Sequence, residues 1–196
     1  MKKRILALLL TLVLCMGLCI PASAASTPFT DVPAGSAFEE AIAFAVERGI
    51  TQGTTATTFS PGNPCTISHI LTFIVRHFND GPSDASEERS LVHDLAGILH
   101  DEFNVPIDPE NLNMTCTRLI AVRIFAALGA SGSVDTASAQ AFTDLTSDEA
   151  SQQAIAFAVD TGITKGTSAT AFSPDNPCTR GQIVTFLFRA LNAGVI

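Results

Sequence analysis

The residues best suited to do chemistry in this sequence are two arginines. Arg118 and Arg180 each follow a threonine that opens a helix-patterned run, Thr117-Arg118 and Thr179-Arg180. A guanidinium presents a planar fork that grips a carboxylate through two parallel hydrogen bonds. An Arg in a first helical turn gains nothing from the helix dipole, which favours acids there, so something other than helix stability places it. The alternative is a solvated arginine or an ion pair with a nearby Asp. Lys165 stands beside Gly166 and can add charge, or be a plain surface lysine. Gly53 and Gly166 can let backbone amides approach a ligand, or serve turns that need positive φ. Gly49 and Gly162 fit helix ends.

Other chemistries lack their residues. The sequence has no Gly-x-Ser-x-Gly, His-Glu-x-x-His, phosphate-loop or dinucleotide signature. No catalytic residue and no cofactor is therefore assigned, and a non-enzymatic protein is expected. His69, His77, His93 and His100 share no metal or triad spacing, and no Cys/His pair stands at zinc spacing. Asp108 to Asn113 lacks the central Gly and closing Glu of a calcium loop. Asp31 and Asp144 each follow a Phe and are expected to bind nearby backbone amides.

Residues 1–24 read as a secretory leader. Lys2, Lys3 and Arg4 precede an apolar run from Ile5 to Ile20, and Pro21-Ala22-Ser23-Ala24 offers an Ala-x-Ala cleavage site. The run is short for a membrane span. Cys15 and Cys19 each follow a Leu, where lipid attachment wants a small residue. An exported chain with no membrane insertion after leader removal is expected. Its basic count falls from 11 by the leader's three to 8, against 19 Asp and Glu. That balance excludes general nucleic-acid binding, which needs basic stripes. It leaves room for an anion in one local pocket, because screening confines charge effects to roughly 10 Å. Three cysteines remain after the leader, Cys65, Cys116 and Cys178, an odd number that cannot close as disulfides within one molecule. They are expected to be small, semi-buried residues.

What positions these side chains is a repeat. Residues 29–76 return as 142–189 at a constant offset of 113, and 28 of the 48 positions are identical. Phe29-Thr30-Asp31 returns as Phe142-Thr143-Asp144, Phe59-Ser60-Pro61 as Phe172-Ser173-Pro174, and Asn63-Pro64-Cys65-Thr66 as Asn176-Pro177-Cys178-Thr179. Each copy reads as helix, loop, helix. Phe38, Ile42, Ala45 and Val46 form the first apolar stripe; Ile70, Phe73 and Ile74, or Ile183, Phe186 and Leu187, form the second. Thr66 and Thr179 are predicted N-caps. Thr179-x-x-Gln182 fits a capping box, whereas Thr66-x-x-His69 does not.

The middle reads as a degenerate third copy. Cys116-Thr117-Arg118 matches Cys178-Thr179-Arg180, and Ala121, Ile124, Phe125 and Leu128 then fall on the core stripe. Leu91, Leu95, Ile98 and Leu99 supply a first helix. Asn79 to Glu88 and Gly129 to Ala141 read as polar connectors. The predicted architecture is mainly α: three helix-loop-helix repeats packed as a pseudo-threefold helical bundle, over 25–83, 84–141 and 142–196. Ligand grooves are expected between repeats.

Phe-x-Asp-Val, Ala-Ile near a helix end, Gly-Ile-Thr-x-Gly, Phe-x-Pro and Thr-Arg opening a helix, in that order, are similar to the S-layer homology (SLH) domain. The resemblance implies non-covalent attachment to the bacterial cell envelope, through an anionic secondary cell-wall polysaccharide, often pyruvylated, held in grooves between repeats. It implies a secreted, cell-wall location and possible contact with other surface proteins. The family's Thr-Arg-Ala-Glu motif puts its groove arginine at Arg118 and Arg180. The first copy has Ile67 there, and no copy keeps the Ala-Glu. Arg118, Arg180, Lys165, Gly53 and Gly166 are thus the expected polysaccharide-binding residues, and no metal site is expected. The alternative is an SLH-like module for protein–protein interaction or a surface coat that has lost its sugar sites.

Overall fold

The computed structural model describes residues 27–132, 134–145 and 148–196; the leader expected over residues 1–24 lies outside them. The helices are α1 (Glu39–Glu47), α2 (Ile67–Phe78), α3 (Ala85–Asp101), α4 (Arg118–Gly129), α5 (Glu149–Asp160) and α6 (Arg180–Asn192), with a short 3-10 turn at Ala137–Ala141 before α5. The fold is mainly helical, as the periodicity predicts, and the described residues form only isolated β-bridges.

Local chemistry sets the helix starts. Thr66, Thr117 and Thr179 accept the amides of His69, Ile120 and Gln182, satisfying donors that the first turn leaves unpaired. The capping-box expectation for Thr66 needs correction. His69 Nδ1 accepts the Thr66 amide at 3.2 Å, as Gln182 Oε1 accepts that of Thr179 at 3.0 Å. A neutral imidazole has one acceptor nitrogen, and burial together with the charge of Arg180 lowers the His69 pKa, favouring that form. Asp84 and Asp148 cap α3 and α5. The connector expected over Asn79–Glu88 therefore ends early, because the Asp84 cap starts a helix at Ala85.

In both copies an aspartate ties the opening segment to the loop before the second helix. Asp31 accepts the amides of Phe59 (2.8 Å) and Ser60 (2.7 Å); Asp144 accepts those of Phe172 and Ser173, both at 2.8 Å. The middle has no Gly-Ile, yet Asn104-Val105 does the same work. Asn104 takes φ +51° where Gly49 takes +67°, and Asn tolerates that region best after Gly. Val105 then buries as Ile50 does, its amide reaching back to Leu99 O at 2.9 Å as Ile50 reaches Ala45 O at 2.8 Å.

Around the three cysteines the backbone closes a ring. Cys65 N–H donates to Cys178 O (2.8 Å), Cys178 to Cys116 O (2.9 Å) and Cys116 to Cys65 O (2.8 Å). The following helix starts repeat the cycle. The Arg118 and Leu119 amides donate to Asn176 O and Pro174 O; those of Arg180 and Gly181 donate to Asn63 O and Pro61 O; those of Ile67 and Ser68 donate to Met114 O and Leu112 O. Helix pairing follows suit: α2 packs on α3, α4 on α5, and α6 on α1. The cysteines are fully buried rather than semi-buried. Burial raises their pKa values, to about 12 for Cys65, about 11 for Cys178 and well above the ordinary thiol value for Cys116.

The stripe predicted on α3 is rotated. Val92, Ala96 and Leu99 face the core, while Leu91 and Leu95 are half-buried and Ile98 is 45 % exposed. Leu91, Leu95 and Ile98 line an open groove beside Phe78.

Candidate functional site

Arg118 stands at the first position of α4, and its side chain crosses to the loop before α6. Nε donates to Phe172 O at 2.9 Å and Nη2 to Thr164 Oγ1 at 3.0 Å. The guanidinium carbon lies 5.0 Å from the Phe172 ring centroid and 5.5 Å from that of Phe186. Aromatic faces stabilise a cation at this range. Arg118 is only 4 % exposed. Burial lowers its pKa, opposed by the Cys178 and Asp144 sides, and an arginine so placed remains a cation. Asp144 does not spend its oxygens on Arg118, since both accept amides. Those amide bonds hold its own pKa below the usual carboxylate value, the Phe172 amide most strongly. The Nη1 edge of Arg118 has no protein partner among the described residues.

Arg118 lines a cleft of about 320 Å³, shared with Lys165, Gly166, Gln182, Phe186 and Arg189. Phe38, from the start of α1, closes one side. It can approach because position 181 is glycine: a Cβ there would meet the Phe38 ring at 2.9 Å. Lys165 is exposed. Arg189 is also exposed and is steadied by one hydrogen bond, Nη1 to Ile163 O at 3.1 Å. Three cations thus share one cleft. The ion pairs among the described residues, Arg76–Glu88 and Arg123–Asp148, include none of them.

Arg180 is built the same way on the first copy's loop. Nε donates to Phe59 O at 3.1 Å, and the guanidinium lies 4.8 Å from the Phe59 ring and 5.5 Å from that of Phe73. It is 6 % exposed, and burial lowers its pKa too. Its surroundings differ. Gln52 replaces Lys165 and His69 replaces Gln182. Arg76, the repeat partner of Arg189, is held by Glu88 through Nε–Oε2 (2.7 Å) and Nη2–Oε1 (2.9 Å). At the third such helix start the side chain is Ile67, fully buried.

Of the expected binding residues, Arg118, Lys165 and Gly166 come together, and Arg180 and Gly53 sit apart in the equivalent place. Both glycines have a packing reason for being glycine. At φ +82° and +83°, an added Cβ would lie 2.5 Å from Phe29 Cε1 at Gly53 and 2.6 Å from Phe142 Cε1 at Gly166. Their amides donate to Thr51 Oγ1 and Thr164 Oγ1 at 3.2 and 3.3 Å. Sequence reasoning missed Arg189. A last-turn arginine reads as a partner of the helix dipole. The one available signal was that it is among the identities of the repeat, as Arg76.

Among the described residues, no group of His, Cys, Asp and Glu gathers to hold a metal ion, and no helix is long and apolar enough to cross a membrane. The family model of the S-layer homology domain matches residues 28–66 and 141–184, the two copies of the repeat. The match suggests attachment at a cell surface. No curated protein matches the chain.

Proposed function

We propose that this chain is a secreted, non-enzymatic module that holds to the bacterial cell envelope by binding an anionic secondary cell-wall polysaccharide, and that the Arg118 cleft is where it binds. We read the middle segment as a third, degenerate SLH unit, closing the ring with the two matched ones. The observation that carries the proposal is the cleft's unbalanced charge: a buried Arg118 with a free edge, beside Lys165 and Arg189, in an acidic chain. An anionic sugar substituent, such as a pyruvyl carboxylate, offers the matching fork-to-carboxylate geometry. Phe38 and Phe186 give the sugar ring apolar walls.

A pull-down of the mature chain with purified sacculi, carrying or stripped of the secondary polymer, tests this. Retention only with the polymer, lost in Arg118→Ala, is the expected result. Equal retention on both preparations would sink it. A second reading, a protein-interaction module, is favoured by the apolar groove between α2 and α3, where Phe78 is 60 % and Ile98 45 % exposed beside Ile74 and Leu95. Envelope binding that survives Arg118→Ala but not Phe78→Ser would support it.

A further inference from the structure

We infer that the Arg118 cleft takes a ligand with two anionic groups, the second held by Arg189 with help from Lys165. This rests on the reading of that cleft as the polymer site. Arg118 spends Nε and one Nη2 hydrogen on Phe172 O and Thr164 Oγ1. What remains is one edge, enough to grip a single carboxylate. One carboxylate balances one charge. Lys165 and Arg189 then still stand outside the ion pairs of the described residues, in a cleft of about 320 Å³.

The repeat supplies its own demonstration of how the second charge is met. Arg76 occupies on α2 the position that Arg189 occupies on α6. There the protein provides a carboxylate, Glu88, which takes Nε and Nη2 of Arg76 together. Arg189 forms no such ion pair among the described residues. Arg189 fixes only Nη1, on Ile163 O, so its Nε and Nη2 stay available for the arrangement that Arg76 adopts. The class of ligand is therefore a sugar bearing two negative substituents, or two adjacent residues bearing one each.

Calorimetry with two synthetic probes tests this. One is a methyl hexosaminide with a pyruvyl ketal, carrying one carboxylate; the other is the same sugar with an added phosphate. The wild-type chain should bind the second probe at least about tenfold more tightly. Arg189→Gln should erase that advantage, weakening the second probe by a clearly larger factor than the first. Arg189→Lys, which keeps the charge and loses the fork, should retain part of it, and melting curves will show whether either variant is merely unfolded. Arg118→Met should weaken both probes. Equal affinity of the two probes for wild type, or equal weakening of both by Arg189→Gln and Arg189→Lys in folded protein, overturns the second subsite and leaves the polymer reading standing. Binding of neither probe overturns both.

Discussion

The Arg118 and Arg180 sites share a scaffold and differ at the rim. In both, a buried guanidinium donates Nε to a Phe carbonyl and stacks on two Phe rings. In both, the helix start is pinned by two amides to the neighbouring loop. The Thr-Arg signature is thus explained by structure alone at each site, and its presence does not separate a binding site from a packing site. The rim does. The Arg118 cleft has Lys165 and an Arg189 that joins no ion pair among the described residues; the repeat-equivalent positions for the Arg180 site carry Gln52 and an Arg76 already held by Glu88. The base arginine is held by the fold in the same way at both sites, and charge at the rim is what equips one of them for an anion.

The largest effect should strike both sites together, through the cysteine ring they share. The folded thiol pKa values lie above the ordinary value of 9.0, at about 12 for Cys65 and about 11 for Cys178, with Cys116 well above it. A raised folded pKa means that the folded state keeps its protons while the unfolded chain loses them. The stabilisation is whole below pH 9 and drains as pH rises from there toward 11 and 12. At one pH unit above the unfolded value each thiol forfeits on the order of 1 kcal/mol, so the ring as a whole loses several. Denaturant melts at pH 8 and pH 10 should show that loss. A Cys65→Ala, Cys116→Ala, Cys178→Ala variant should be less stable at pH 8 but much flatter with pH, and an unchanged slope would show that the ring does not carry the effect.

Next comes the arginine pair. Arg118→Met removes two buried hydrogen bonds and Arg180→Met one, each with a stacked cation, so each should lower stability by about 2–3 kcal/mol, Arg118→Met by the larger amount. Their effects on polymer binding should part. Arg118→Met should weaken it by about a hundredfold, near 2.7 kcal/mol, and Arg180→Met by less than about threefold. Equal losses of binding would collapse the distinction between the two clefts.

How much of this was legible beforehand divides along the same line. Positions that repeat were readable: the caps Thr66 and Thr179, the Asp31 and Asp144 amide bonds, and the stripes around Ile70 and Ile183 all fall where periodicity and turn chemistry put them. The middle was less so. Asn104 standing in for a glycine is visible only once its φ is known, and the buried α3 face runs through Val92 and Ala96, which no stripe of large residues announces. The site was half legible. Arg118, Lys165 and Gly166 were named, but Arg189 is joined to them only by the way α6 packs beside the loop at 162–173, 71 residues from Arg118 along the chain. Nor could the sequence foretell that Glu88, on the next helix, neutralises Arg76 and so distinguishes two arginines that the repeat makes identical.

That distinction can be reversed by design. Gln52→Lys with Glu88→Gln gives the Arg180 site the rim of the Arg118 site. Breaking the half-buried Arg76–Glu88 pair should cost about 1–2 kcal/mol of stability. Calorimetry with the two-charge sugar should then report two sites per chain where the wild type reports one. If the double variant, folded, still binds one, the rim is not what separates the clefts.

The smallest change should come from Lys165 alone. Its side chain is exposed, so its attraction to an anion is screened and exposed pairs contribute about 0.2–1 kcal/mol. Lys165→Gln restores the residue that the first copy carries and should weaken binding of the two-charge sugar by about threefold at 0.15 M salt. Because the lost term is screened, the difference from wild type should shrink further at 1 M salt, where the Debye length falls to about 3 Å. Arg118 is buried, so the Arg118→Met deficit should persist under the same conditions. A Lys165→Gln deficit that matched Arg118→Met, and ignored salt, would mean that Lys165 closes onto the ligand and is shielded by it. The base and the rim of the cleft would then act as one desolvated unit, and the division between a repeated scaffold and a variable rim would have to be redrawn one residue deeper.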